Sequence, residues 1–113
     1  MNREITKAAK AYKVEIFIGC DDLSQAFAIC ESYCTEIGLC VTVSPVMYCY
    51  RNGHCDGVVV GLINYPRFPS TPDVIWRKAV SLAERLKEEL DQGSYTIQDH
   101  EDALFVSTRD EDQ

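Results

Sequence analysis

The chain has 113 residues, of which 46% are hydrophobic and 26% charged, and its formal net charge is −7. This length and composition predict one globular domain over residues 1–113, with a short acidic C-terminal tail from about residue 110. The negative charge argues against a surface for duplex nucleic acid, and no apolar run approaches the roughly 20 residues of a membrane helix. No export signal is visible, so we expect a cytoplasmic protein.

Six cysteines raise the question of metal or disulfide chemistry. They contain no Cys-x-x-Cys pair, and they lie at positions 20, 30, 34, 40, 49 and 55. Zinc sites usually need two tight pairs, and structural disulfides belong to exported proteins. We therefore predict reduced, mostly buried thiols, with no metal and no cofactor.

The first third of the chain predicts a strand followed by a helix. Residues 14–20, VEIFIGC, alternate in the manner of a strand, and Asp22 then begins a helix that Gly38 ends. The helix has an apolar stripe at Leu23, Ala26, Phe27, Cys30, Cys34 and Ile37. Cys30 and Cys34 could present two thiolates to a metal, but their place on this stripe favours core packing.

A strand pair follows the first helix. The segment LCVTVS, residues 39–44, alternates, and Pro45 predicts that this strand bends, bulges or lies at a sheet edge. Residues 46–50 continue it, Asn52-Gly53 and Asp56-Gly57 are hairpin signals, and residues 58–64 form the return strand.

The last part of the chain predicts a second helix and two short strands. Ser70 or Thr71 caps the helix, Pro72 lies near its first position, and Gly93 stops it. Its apolar stripe is predicted at Ile75, Ala79, Leu82, Ala83, Leu86 and Leu90. Strands at 94–98 and 103–109 are joined by the acidic turn DHED. The fold prediction is an α+β two-layer domain, with an antiparallel or mixed sheet of about five strands and two helices on one face.

Catalytic patterns are scarce. His54, Cys55 and Asp56 are adjacent on a tight turn or strand, so their side chains point apart and cannot form a nucleophile–base line. His100 lies in a carboxylate-rich turn, where a surface role is the simpler interpretation. We therefore expect no enzyme, and a small hydrolase or metal protein using Cys55 and His54 is the weakest alternative.

The segment NYPRFP, residues 64–69, is the strongest candidate for a binding site. Its two prolines restrict the backbone and hold the intervening side chains at low entropic cost. Tyr65 and Phe68 could stack on a purine, Arg67 could meet a phosphate, and Asn64 could read a base or ribose edge. In the alternative interpretation, both rings cover the end of the core and Arg67 is solvated.

Further cations could supply phosphate contacts. Arg77 lies in the first turns of the second helix, Arg51 opens the hairpin turn, and Arg109 ends the last strand. A small phosphorylated ligand needs only two or three local cations, so the net negative charge does not exclude one. Trp76 flanks the apolar stripe of its helix and is either an interface anchor or a core residue.

The segments GLINYPRFPSTPDVIW and AERLKEELDQGSYTI, with the FIGC strand and the LCVTVSP strand, resemble the first Thoeris anti-defence family. Proteins of that family are phage sponges for cyclic ADP-ribose signals made by TIR-domain enzymes. The resemblance spans roughly residues 14–107 and implies sequestration without cleavage. It also implies a homo-oligomer built from dimers, in which some members hold cyclic oligonucleotides. The cysteine-rich hairpin CYRNGHCDG has no place in that pattern.

The leading hypothesis is thus a non-enzymatic protein that captures a cyclic nucleotide signal in the cytoplasm of a phage-infected bacterium. Its ligand site would comprise Asn64, Tyr65, Arg67, Phe68, Arg51, Arg77 and Arg109. The alternative is an acidic phage protein that docks on a host protein and inhibits it, through Trp76, the strand edge near Pro45 and the acidic tail.

Overall fold

Five antiparallel strands form one sheet in the computed structural model, which describes residues 3–113. The strands are β1 (Lys13–Gly19), β2 (Thr42–Tyr50), β3 (Gly53–Ile63), β4 (Ser94–Gln98) and β5 (Ala103–Ser107). The helices are α1 (Leu23–Ile37) and α2 (Pro72–Glu89), and a short 3-10 turn spans Asp110–Asp112. The strand order is β2-β3-β1-β4-β5, a split βαββαβ arrangement with one added edge strand. The predicted two-layer α+β fold is confirmed.

Helix α1 begins and ends where its capping residues predict. The Asp22 carboxylate accepts a hydrogen bond from the Gln25 N–H at 3.2 Å, and Gly38 ends the helix with a left-handed φ of 76°. Phe27 and Ile37, however, are 48% and 44% exposed, so their predicted places on the buried stripe are wrong. The buried face is centred on Ala26, Ile29, Cys30 and Tyr33, and Phe27 lies on its flank.

The β2–β3 hairpin is longer than predicted. Its turn lies at Arg51 and Asn52, and Asn52 has a left-handed φ of 64°. Gly57 lies inside β3 and pairs with both Val46 and Gly19, so the turn predicted at Asp56-Gly57 is wrong. The hairpin therefore continues beyond the end of β1. Pro45 is tolerated because β2 is an edge strand. An edge position was one of the three alternatives predicted for the strand that contains Pro45.

Helix α2 is amphipathic and follows its predicted stripe. The Thr71 hydroxyl accepts from the Val74 N–H at 3.4 Å, and Pro72 occupies the first helical position. The buried residues of the stripe are Ile75, Ala79, Leu82, Ala83 and Leu86. The helix ends at Glu89, earlier than the predicted stop at Gly93, because Asp91 adopts a left-handed φ of 54°.

The core lies between the helices and one face of the sheet. Alternate residues of the two central strands point into it: Val14, Ile16, Ile18, Val58, Val60 and Leu62. The opposite sheet face has no covering layer within residues 3–113, and Phe17, Val59, Thr96 and Phe105 lie in one cross-strand row on it. Helices cover one face only, as predicted.

All six cysteines are free thiols, but their burial differs from the prediction. Cys20 and Cys30 are buried and Cys34 is half-buried, whereas Cys40, Cys49 and Cys55 are exposed. The expectation of mostly buried thiols is therefore wrong for three of them. Cys49 and Cys55 are exposed because they lie on the part of the hairpin that extends past β1.

Candidate functional site

Asn64 is a buried polar residue that joins three backbone segments. Its Nδ2 donates to the carbonyl of Lys10 at 2.8 Å, and its Oδ1 accepts from the Ser70 N–H at 2.8 Å. Its own N–H donates to the carbonyl of Tyr12 at 3.0 Å. The amide predicted to read a ligand edge therefore holds the segment before β1 against the segment before α2.

Tyr65 and Phe68 contact each other. Their ring centroids lie 5.5 Å apart with a tilt of 36°, and Phe68 is 50% exposed. They line a cleft of about 260 Å³ together with Leu39 and Lys78. Arg67 is exposed and forms no ion pair within residues 3–113. The rings thus flank a small cleft, whereas the guanidinium is solvated.

The other predicted cations lie apart from this loop within one subunit. Arg51 is at the turn that precedes β3, and Asn64 follows the far end of that strand, about 35 Å away for 11 extended residues. Arg109 lies beside Gly93 at the end of the sheet opposite the loop, and its Nε is 3.0 Å from Asp112 Oδ2. Arg77, in the first turns of α2, is the one of the three near the loop. One chain does not bring the seven residues together, and the phosphate site stays a prediction.

A larger cleft lies where the segment before β1, the start of α2 and the β4–β5 turn meet. Its volume is about 520 Å³. The side chains of chemical interest that line it are Lys10, Tyr12, Asp73, Trp76, Asp99, His100, Glu101 and Asp102. We call this the acidic cleft, because its lining includes four carboxylates.

The floor of the acidic cleft is fixed by a hydrogen bond between distant parts of the chain. The Tyr12 hydroxyl donates to Asp99 Oδ2 at 2.8 Å. Asp99 Oδ1 accepts from the N–H groups of Glu101 at 2.8 Å and Asp102 at 2.7 Å, which closes the turn on itself. The backbone N–H groups of Asp102 and Glu101, with the Tyr12 hydroxyl, hold the pKa of Asp99 below its usual value. Burial and the Asp99 carboxylate raise the pKa of Tyr12, so this phenol stays protonated.

The charge pattern of the acidic cleft favours ligands with a positive group. The four carboxylates outnumber the two basic side chains, Lys10 and His100. The first turn of α2 adds partial positive charge from its N–H groups, next to the carboxylate of Asp73. Trp76 is half-buried and supplies a flat apolar wall. The site therefore offers an aromatic surface, anionic side chains and one helix N-terminus to the same ligand.

Sequence reasoning placed none of the acidic cleft's carboxylates in a site. The turn DHED gave the pattern of a solvated surface turn, and Tyr12 preceded the first strand without any motif. Residues 12 and 99 are 87 positions apart, and only the pairing of β1 with β4 brings them together. The one available signal was the density of carboxylates between two short strands.

The described part of the chain contains neither a metal-binding cluster nor a membrane-spanning helix. Among residues 3–113, no three or more His, Cys, Asp or Glu side chains are grouped to hold a metal ion. Neither of the two helices found there is long and apolar enough to cross a membrane.

No protein-family model matches the sequence, and no curated protein matches it. Solved structures do match the fold. A phage SAM lyase in complex with S-methyl-5'-thioadenosine superposes with a TM-score of 0.65 at 12% identity, covering 95% of this chain and 97% of that one. A phage SAM lyase in the apo state gives 0.67 at 14% identity, covering 95% and 98%. The chain shares the fold of a phage SAM lyase. CutA from Synechococcus elongatus is more distant, with a TM-score of 0.44 at 13% identity over 90% and 80% of the chains.

The expectation of a non-enzymatic protein is contradicted by this finding. It depended on the lack of a recognisable catalytic constellation in the sequence. The same fold, over almost the full length of both chains, belongs to a lyase that also binds a nucleoside.

Proposed function

We propose that this protein is a phage lyase that binds S-adenosylmethionine, or a closely related sulfonium nucleoside, in the acidic cleft and cleaves it. The observation that carries the proposal is the charge pattern of that cleft. It suits a cationic nucleoside, in a chain whose fold neighbours include a lyase that holds S-methyl-5'-thioadenosine. Removal of the cell's methyl donor would be an anti-defence activity in an infected bacterium.

The parts of the substrate match the parts of the acidic cleft. S-adenosylmethionine carries a sulfonium, an ammonium and a carboxylate, with a net charge of about +1 near neutral pH. The carboxylates of Asp99 and Asp102 would hold the ammonium group, and the N-terminus of α2 would hold the substrate carboxylate. Trp76 would stack against the adenine, a contact worth about 1–3 kcal/mol.

Cleavage of a sulfonium needs no redox partner. The carbon–sulfur bond to the aminobutyrate chain breaks, and both of its electrons go to sulfur, which gives the neutral thioether S-methyl-5'-thioadenosine. The aminobutyrate carbon either bonds its own carboxylate, which closes a lactone, or forms an alkene as a neighbouring proton passes to a base such as a carboxylate of the cleft. Mass analysis of the second product distinguishes the two routes. Because the product has lost its cationic centre, an anionic cleft holds it less tightly than the substrate.

A phosphorylated ligand is the alternative, and it includes the predicted capture of cyclic ADP-ribose. The complete predicted site would need Arg51 and Arg109 to join Arg67 and Arg77 at the loop, and within one chain the length of the sheet separates them from it. A homo-oligomer would have to assemble such a site from several subunits, and both the Thoeris resemblance and that oligomer stay predictions.

The test is to incubate the purified full chain with S-adenosylmethionine and to follow both products by liquid chromatography and mass spectrometry. We expect S-methyl-5'-thioadenosine from the wild type, and at least about tenfold less from Trp76→Ala and from Asp102→Asn. Asp91→Asn is the matched control: it removes one exposed carboxylate outside the acidic cleft, and asparagine tolerates the left-handed backbone there.

Two results would reject the proposal. Folded wild-type protein that forms no thioether would exclude lyase activity on this substrate. Equal rates for the wild type and both cleft variants would exclude the acidic cleft as the site. Cyclic ADP-ribose, added to the same preparation in a calorimeter, tests the phosphorylated alternative directly.

A further inference from the structure

The segment before β1 is an exposed arm. Residues 3–11 have no helix or strand and are almost entirely exposed, and the side chain of Ile5 is 79% exposed. The molecule measures 58 × 30 × 26 Å, and its radius of gyration of 15.7 Å exceeds the roughly 13 Å expected for this length. The arm at one end of the sheet and the β2–β3 hairpin at the other account for this elongation.

The arm is basic in an acidic protein. Residues 3–11 contain Arg3, Lys7 and Lys10 against one carboxylate, Glu4. None of these cations forms an ion pair within residues 3–113. Ile5 and Lys7 line a surface depression together with Arg67. This depression therefore contains two cations and no carboxylate. Lys10, at the base of the arm, lines the acidic cleft, whereas Arg3 and Lys7 lie near no carboxylate partner within residues 3–113.

The edge of β5 has the complementary properties. β5 is the last strand in the sheet order and pairs only with β4 among the described residues, so one row of its backbone N–H and C=O groups is free. Phe105, at its centre, is 55% exposed on the uncovered sheet face. Glu101 and Asp102 precede the strand, and Asp110 and Glu111 follow it, so that acidic side chains flank both of its ends. β2, the opposite edge, contains Pro45 and is a poorer template for pairing.

A chain's own arm is directed away from its own β5. Asn64 bonds the carbonyls of Lys10 and Tyr12, which holds the base of the arm on the side of β3. β3 and β5 lie on opposite sides of β1 in the sheet. Although Lys10, at the base of the arm, lines the acidic cleft, Ile5 and Lys7 lie beside Arg67 in the loop after β3, so the arm that binds β5 is that of another molecule.

We propose that the β5 edge of one subunit binds the basic N-terminal arm of a second copy of this chain as an added strand. In an extended arm Arg3, Ile5 and Lys7 share one face, since side chains alternate along a strand. Ile5 then packs beside Phe105, and the two cations meet the acidic groups at the two ends of β5. The arm contributes main-chain hydrogen bonds, and the charges select its position along the edge. This inference does not rest on the proposed lyase activity, although Glu101 and Asp102 at the start of β5 also line the acidic cleft.

Sedimentation velocity of the full chain, at several concentrations and at low and high salt, tests the proposal. We expect the wild type to form an oligomer that dissociates to single chains when residues 3–9 are deleted. Ile5→Ser and the double variant Arg3→Glu/Lys7→Glu should each raise the dissociation constant about tenfold or more. Arg51→Glu/Lys87→Glu is the matched control, since it reverses one exposed and one half-buried cation away from both surfaces and should leave association unchanged.

A charge exchange distinguishes pairing from general repulsion. Adding Glu101→Lys/Asp110→Lys to the Arg3→Glu/Lys7→Glu variant should restore association, because each reversed arm charge again faces an opposite charge. A monomeric wild type, unchanged association after deletion of residues 3–9, or no recovery in the exchanged variant would each overturn the proposal. Deletion of residues 3–9 removes no residue of the acidic cleft, so S-methyl-5'-thioadenosine formation by that variant is a separate measurement.

Discussion

The hydroxyl of Tyr12 donates a 2.8 Å hydrogen bond to Asp99 Oδ2 and so joins the residue before β1 to the turn after β4. Tyr12 is only 7% exposed, whereas the turn that Asp99 begins is mostly open to solvent. This bond fixes the position of Asp99 in the acidic cleft. Asp99 in turn positions Glu101 and Asp102, because its Oδ1 accepts hydrogen bonds from their backbone N–H groups.

Tyr12→Phe should lower both stability and substrate affinity. Loss of the hydroxyl removes one hydrogen bond worth about 1 kcal/mol from the free energy of unfolding, measured with urea. Tyr95→Phe is the matched control, because its hydroxyl donates to Glu84 on α2, outside the acidic cleft. The two variants should lose similar stability, and only Tyr12→Phe should raise KM for S-adenosylmethionine. Identical KM values would show that the bond is structural only.

Asp99 should contribute to the pH dependence of stability. Its folded-state pKa is lowered, first by the Asp102 and Glu101 N–H groups. A carboxyl with a depressed folded pKa stabilises the fold at pH values above its usual pKa near 3.8, and this contribution is lost as the pH falls through the folded value. Asp99→Asn keeps the side-chain carbonyl that accepts from the turn but has no titration. Its urea midpoint should therefore fall less steeply than that of the wild type between about pH 5 and pH 2. Parallel curves would contradict this assignment.

Salt should weaken binding of the substrate but not of the product. The acidic cleft attracts a cationic sulfonium nucleoside by charge, and ions screen that attraction over about 10 Å at 0.1 M. We expect calorimetric affinity for S-adenosylmethionine to fall about three- to tenfold between 0.05 and 0.5 M NaCl. S-methyl-5'-thioadenosine is neutral and should show almost no change. Equal salt dependence for both ligands would argue against a role for the carboxylates.

Gly57→Ala should destabilise the fold. A Cβ at this position would lie 2.1 Å from the ring of Tyr48 and 2.7 Å from the backbone oxygen of Ile18, and that oxygen has little freedom to move. The expected cost is about 1–3 kcal/mol in the free energy of unfolding. Gly61→Ala is the control in the same strand, because its close contact is the Thr42 hydroxyl, which can rotate away. Equal stability of both variants would show that the sheet relaxes around Gly57.

Native cysteines should divide into reactive and protected thiols. Cys40, Cys49 and Cys55 are exposed, whereas burial raises the pKa of Cys30 to about 12 and leaves little thiolate to react. Maleimide labelling followed by peptide mass spectrometry should modify the three exposed thiols rapidly. Cys20 and Cys30 should label only after denaturation. Labelling of Cys30 in the native protein would mean that α1 opens readily.

Local signals predicted much of the fold. The Asp22 cap and the α2 stripe were predicted directly, and the Thr71 cap and the edge position of Pro45 were each among the alternatives predicted, because each feature depends on residues within a few positions of one another. The wrong predictions concern residues whose burial or backbone conformation depends on neighbouring helices and strands. Phe27 satisfies helical spacing but lies beside the buried face, and Asp56-Gly57 has turn chemistry yet is held in an extended ladder by Tyr48 and Ile18.

The candidate site was harder to predict for the same reason. Asn64 lies in the loop with the strongest local pattern, but both ends of its amide are bonded to backbone groups that the sequence does not mark. The acidic cleft is contributed by three separate segments, none of which has a motif of its own. Its carboxylates are grouped by strand pairing over long distances in the chain.

The amino-acid order by itself determined the two amphipathic helices, the hairpin and the one-sided sheet, since hydrophobic periodicity and capping act over a single turn or strand. Only the tertiary structure decided which charges meet. In the sheet, Arg51 and Arg109 lie far from the proline-bounded loop, and the pairing of β1 with β4 lets the Tyr12 hydroxyl bond Asp99. The spacing of charged residues along the sequence does not predict which of them become neighbours, because strand pairing brings together residues that are far apart in the chain.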